Sequence, residues 1–140
     1  MILIDTGPLV ALTDKGQGVL HHKCVSVINQ LPSPLMTTWP CFTEAMYFVG
    51  ELRGWHGQAA LWRYGKDGGL ELHVPEPDEW VRISDLMEQY RDTPMDLADA
   101  SLVSLAELRG LRRIITLDSD FYVYRVGGQE SFDVILVTIS

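Results

Sequence analysis

A chain of 140 residues, 46% hydrophobic and 21% charged, has the composition of an ordinary folded domain and the length to bury a layered core, which excludes disordered, fibrous and disulfide-stapled designs. Eleven Lys and Arg against nineteen Asp and Glu leave a formal net charge of -8, which argues against a polyanionic ligand unless bound cations reverse the local potential. Cys24 and Cys41 form no CxxC, and neither an export signal nor a run of ~18 apolar residues occurs, so one domain in a reducing cytoplasm is expected, with no disulfide framework or membrane span.

Ile2 to Ile4 is a short apolar run ending at Asp5-Thr6-Gly7-Pro8, the pattern of a buried strand turning into a helix, with Pro8 in the first turn and the helix ending near Thr13. Val19 to Leu31 reads as a second helix, stopped by Pro32 and Pro34, and Leu35 to Thr38 as a second strand. Pro40 to Leu52 has helical apolar spacing with Glu44 in its first turn and Gly54 beyond its end. A separate helix over Gln58 to Tyr64, a Gly-rich loop over Gly65 to Gly69 and an alternating strand over Leu70 to Val74 follow.

Asp78 to Tyr90 carries an apolar stripe of Trp80, Val81, Ile83, Leu86, Met87 and Tyr90, and Leu97 to Leu108 is an apolar helix closed by Gly110. Arg113 to Leu117 and Asp133 to Ile139 read as β-branched strands, joined in part by a Gly-containing connection over Val126 to Ser131. Strands alternating with helices imply right-handed crossovers and a mostly parallel sheet between two helical layers, a three-layer α/β/α sandwich. Ligands of such sheets bind at the carboxyl ends of the strands.

Six acids fall at those ends: Asp5 after the first strand, Glu44 after the second, Asp96 and Asp99 at a helix start, and Asp118 and Asp120 after the Ile-Thr-Leu strand. Each has a structural use as well, because carboxylates cap helix N-termini and favour the positive end of the helix dipole. Asp96 and Asp118 suit an N-cap, and Asp5 suits a turn as readily as a site. Asp99 lies on the same helix face as Asp96, and Glu44 sits beside the apolar Phe42, Ala45 and Met46. Two carboxylates ~4 Å apart repel by roughly 4 kcal/mol at an effective dielectric of 20, so a cluster of them must protonate, splay or take up a cation. Hard oxygen donors without His or Cys favour Mg²⁺ or Mn²⁺ over zinc, and such an ion can hold a phosphate oxygen and activate water.

Ile4 to Leu12 (Ile-Asp-Thr-Gly-Pro-Leu-Val-Ala-Leu), Glu44, Asp96 to Val103 (Asp-Leu-Ala-Asp-Ala-Ser-Leu-Val) and Ile115 to Phe121 (Ile-Thr-Leu-Asp-Ser-Asp-Phe) together resemble a PIN domain. More narrowly they resemble the VapC-like toxins of bacterial toxin-antitoxin pairs. The resemblance implies that Asp5, Glu44, Asp99 and Asp118 are the four main acids, that Asp96 and Asp120 are neighbours of variable role, and that Thr6 and Thr116 orient carboxylates or water. Each threonine has an equal reading as a local cap. It further implies Mg²⁺- or Mn²⁺-dependent cleavage of single-stranded RNA to 5'-phosphate and 3'-hydroxyl ends, a homodimer, and inhibition by an antitoxin protein.

Arg53, Arg63, Lys66, Arg112, Arg113 and Arg125 are expected as solvated charges, and Trp39, Trp55, Trp62 and Trp80 as core or dimer-interface residues rather than base-stacking platforms. His21, His22, His56 and His73 lack the HExxH spacing of zinc proteases. Three rival readings are a catalytically idle PIN scaffold, a phosphoacceptor receiver domain and an Asp-x-Asp phosphatase. The receiver needs a late lysine and none follows Lys66, while the phosphatase fails because Thr6-Gly7 follows Asp5.

Overall fold

The computed structural model describes residues 1–32 and 34–139. Strand β1 (Ile2–Ile4) lies at the middle of a five-stranded parallel sheet, flanked by β2 (Leu35–Thr37) and then β3 (Leu70–Leu72) on one side, and by β4 (Arg113–Thr116) and β7 (Asp133–Leu136) on the other. Because side chains alternate along a strand, Ile2, Ile4, Leu35 and Ile115 join one core while Leu3, Met36 and Ile114 join the other. Helices α1 (Thr6–Thr13), α2 (Val19–Asn29) and α3 (Trp39–Lys66) cover the first face, and α4 (Glu79–Gln89) and α5 (Leu97–Arg109) the second. The expected α/β/α sandwich is the observed one. Among the described residues no helix is long and apolar enough to cross a membrane, and both cysteines are free and buried.

Several expected boundaries move for identifiable reasons. The two helices expected on either side of Gly54 abut as one kinked element, because Gly54 adopts φ 59, ψ -146 and redirects the chain without a loop. Thr38 caps this element through Cys41 N–H at 3.4 Å, so α3 begins at Trp39 and Glu44 falls in its second turn rather than its first. The element also runs to Lys66, into the expected loop. Val126 to Ser131, expected as a plain connection, holds a short antiparallel hairpin of β5 (Arg125–Val126) and β6 (Glu130–Ser131) turned by Gly127 and Gly128, both at positive φ. The strands expected to Val74 and Ile139 end at Leu72 and Leu136.

On α4 the packed residues are Ile83, Leu86, Met87 and Tyr90, whereas Trp80 and Val81 are exposed. Trp80, in the first turn, instead borders a surface groove shared with Trp39 and Ile83. Trp39, Trp55 and Trp62 are exposed too, so none of the four tryptophans is a core residue. Arg53, Arg63, Lys66 and Arg113 are exposed, as expected, and several arginines are ion-paired as well. Arg82 grips Glu107 with two bonds of 2.8 Å and ties α4 to α5, while Arg53 pairs with Asp14 and Arg112 with Glu130, each at 2.9 Å.

Candidate active site

The chain leaves β1 toward β2 and later returns to place β4 on the other side of β1, and the crevice at such a reversal is where parallel sheets bind ligands. Asp5 leaves the end of β1 and caps α1 through Thr6 N–H at 2.8 Å. Its second oxygen accepts the Thr116 hydroxyl from the end of β4 at 2.9 Å. The same Thr116 oxygen accepts Asp118 N–H at 2.9 Å, so one threonine links the turns after the two central strands. Glu44, half-buried on α3, accepts the Thr6 hydroxyl at 3.0 Å. Asp96 and Asp99 form a reciprocal capping box on α5: Asp99 N–H donates to Asp96 at 2.8 Å and Asp96 N–H to Asp99 at 3.3 Å. Asp118 caps the single turn Ser119–Tyr122 by accepting Asp120 N–H at 2.9 Å.

All six acids line one open cleft of about 590 Å³, together with Thr6, Gln17, Leu20, Phe48 and Leu52, and no Lys, Arg or His stands among its lining residues. Unbalanced negative charge is the dominant property of this cleft. Burial pushes the Asp5 carboxyl up to about 6 against the Thr6 and Thr116 hydrogen bonds, and the charges of Asp118 and Asp96 add to the rise. Asp99 is pushed up to about 8 by burial first and then by Asp96, Asp5 and Asp118. Asp120 is raised by burial and by Asp118. Carboxyls that hold protons near neutrality for want of a positive neighbour are the condition that a cation relieves.

The donor set, all hard oxygen, fits Mg²⁺ or Mn²⁺ in kind and charge. The side-chain positions are not those of a formed chelate: among the described residues, no three His, Cys, Asp or Glu side chains come together closely enough to hold one ion. The hydrogen bonds account for this. Both oxygens of Asp5 and one each of Glu44, Asp96, Asp99 and Asp118 are drawn toward protein donors, so the carboxylates face one space while remaining apart. Thr6 and Thr116 each bond a carboxylate. One participant escapes sequence reasoning: the Tyr124 hydroxyl lies 3.2 Å from Asp99 Oδ2. Nothing in Phe-Tyr-Val-Tyr distinguishes it from Tyr122, which is exposed.

The sequence pattern of the PIN domain matches residues 2–127. The chain belongs to the PIN domain family. No curated protein matches it. Among solved structures, this PIN domain is similar to Mycobacterium tuberculosis VapC20, described as a sarcin-ricin loop cleaving toxin, with a TM-score of 0.80 at 15% identity over 88% of this chain and 94% of that one. It is also similar to a chain of a toxin-antitoxin complex from Klebsiella pneumoniae, with a TM-score of 0.71 at 17% identity over 99% and 98% of the two chains. At these identities the likeness is one of fold.

Proposed function

We propose that this PIN domain is a divalent-metal-dependent endoribonuclease that cleaves single-stranded RNA, and that it is the toxin of a toxin-antitoxin pair, acting in the cytoplasm as a homodimer restrained by a cognate antitoxin protein. The observation that carries the reading is the cleft itself: six carboxylates from four separate chain segments, with no cationic side chain among its lining residues. Asp5, Glu44, Asp99 and Asp118 would hold Mg²⁺ or Mn²⁺, with Asp96 and Asp120 beside them. When bound, the ion supplies a polarised phosphate and an activated water for in-line attack. Thr116 steadies Asp5 and the start of the Asp118 turn, and Thr6 steadies Glu44.

The lining of the cleft shapes substrate engagement. No Lys, Arg or His stands in it, and Arg53, Arg82, Arg112 and Arg113 are paired with carboxylates elsewhere, so no cationic side chain waits there to neutralise phosphates. RNA therefore approaches this cleft only after a metal has changed its sign.

A second reading, a catalytically idle PIN scaffold that binds RNA or protein as a regulator, is favoured by the spacing of the acids, of which no three among the described residues come close enough to hold one ion. One experiment separates the two. The purified chain, Glu44→Gln and Asp118→Asn are incubated with fluorescent single-stranded RNA and Mn²⁺ or EDTA. Cleavage by the parent in Mn²⁺ alone, lost in both variants, is the expected result. Equal cleavage by all three would expose a contaminating nuclease, and none by any would favour the scaffold. Expression with and without the neighbouring gene then tests the toxin assignment, because a toxin arrests growth only when unaccompanied.

A further inference from the structure

Tyr124 lies just beyond the turn that carries Asp118 and is completely buried in the core beneath α5. Its ring packs edge-on against Phe121 at 5.1 Å and Tyr90 at 5.3 Å. A phenylalanine would fill this space equally, and a buried hydroxyl is costly unless it is bonded. The single hydroxyl proton is shared between two acceptors, Pro94 O at 3.0 Å and Asp99 Oδ2 at 3.2 Å, and both residues line the acidic cleft. Asp96 N–H also donates to Asp99 Oδ2, at 3.3 Å. Asp99 Oδ1, by contrast, takes no hydrogen bond from the described residues. Since no buried side-chain oxygen among them lacks a partner, Oδ1 is the oxygen left open to the cleft.

We infer that Tyr124 is a positioning residue for the cation site: by holding Asp99 Oδ2 from the core side, it fixes the carboxylate so that Oδ1 is presented to the ion, while touching neither ion nor RNA itself. The inference rests on the reading of the cleft as a metal site. An anchor of this kind is what metal-binding side chains need, because a ligand free to rotate loses orientation entropy when it binds. Tyr90 supplies an internal control. Its hydroxyl accepts Arg125 N–H at 3.0 Å and its ring packs on Tyr124, but no hydrogen bond joins it to Asp99.

The test is calorimetric titration of Mn²⁺ into the full chain, Tyr124→Phe and Tyr90→Phe, with metal-free melting of each. Tyr124→Phe is expected to bind Mn²⁺ about tenfold more weakly, the scale of outer-shell losses, while Tyr90→Phe binds as the parent does. Equal affinity in the parent and Tyr124→Phe overturns the inference. So does equal weakening in both variants, the mark of a purely structural role. Should Tyr124→Phe not fold, the tyrosine ultraviolet difference spectrum on Mn²⁺ saturation of a variant in which Tyr47, Tyr64, Tyr90 and Tyr122 are Phe decides: a change supports the inference and a silent spectrum overturns it. A parent that takes up no Mn²⁺ refutes the metal-site reading and the inference with it, an outcome distinct from equal uptake.

Discussion

Replacing Asp5 with Asn probes the electrostatics of the metal-free cleft. Asp5 is 8% exposed, and burial together with the Asp118 and Asp96 charges carries its carboxyl from 3.8 up to about 6. Below about pH 4 the group is protonated in both folded and unfolded chains and adds no pH dependence. Between about pH 4 and about pH 6 the folded chain keeps a proton that the unfolded chain releases, so stability falls as pH rises. Above the folded value the whole penalty remains. The gap between 3.8 and about 6, at about 1.4 kcal/mol per tenfold change in proton affinity, makes the penalty roughly 3 kcal/mol. Asn removes it, but sets an amide nitrogen where Asp5 Oδ2 accepts the Thr116 hydroxyl, which costs about 1 kcal/mol. Asp5→Asn is therefore expected to be more stable than the parent by about 2 kcal/mol near pH 8 and less stable by about 1 kcal/mol near pH 3.5. Urea unfolding in EDTA across that range, followed by circular dichroism, reads the difference directly. A difference that does not change with pH, or a variant less stable near pH 8, would show that the buried Asp5 carboxylate carries no such penalty. Saturating Mn²⁺ should reverse the order near pH 8, because only the parent gains binding energy.

Three further outcomes follow from the structure. Gly54→Ala places a Cβ at φ 59, ψ -146, a region nearly reserved for glycine, with no atom within 4 Å to blame for a clash; a loss of about 1–3 kcal/mol in chemical unfolding is expected, and an unchanged midpoint would show that the kink relaxes in solution. Thr38→Val removes the cap of α3 and a 2.6 Å hydroxyl bond to Ser101, and should lower stability by about 1–2 kcal/mol; no loss in the same assay would contradict the assigned bonds. Fluorescence polarisation of an uncleavable single-stranded RNA should show binding at least about tenfold tighter in Mg²⁺ than in EDTA at matched ionic strength, whereas equal binding would place the RNA on a surface away from the acids.

The order of strands and helices was legible because apolar runs such as Ile2 to Ile4 end at turn residues and the longer periodic segments are helical. Gly54 signals a helix end in sequence, but its φ decides whether a loop or a kink follows, and here it is a kink. The hairpin at Arg125 to Ser131 consists of two-residue strands, too short for alternation to register. The tryptophans lie outside the core, which their spacing does not show, because spacing gives a helix face without saying whether another layer of the fold covers it. The acids show the same division: their positions after strands pointed to one cleft, while their separation depends on bonds to Thr6, Thr116 and backbone N–H groups that only coordinates reveal. Tyr124 was hidden for that reason too, as its role lies in the target of one hydroxyl.

Diffraction from Mn²⁺-soaked crystals, recorded at the manganese absorption edge, shows whether the carboxylates gather around an ion. An anomalous peak is expected in the cleft with oxygens of Asp5, Asp99 and Asp118 turned onto it, and Asp99 Oδ2 still held by Tyr124. Crystals that diffract well at saturating Mn²⁺ with no peak among these carboxylates, or with the ion held elsewhere on the chain, would show that the cleft is not a metal site.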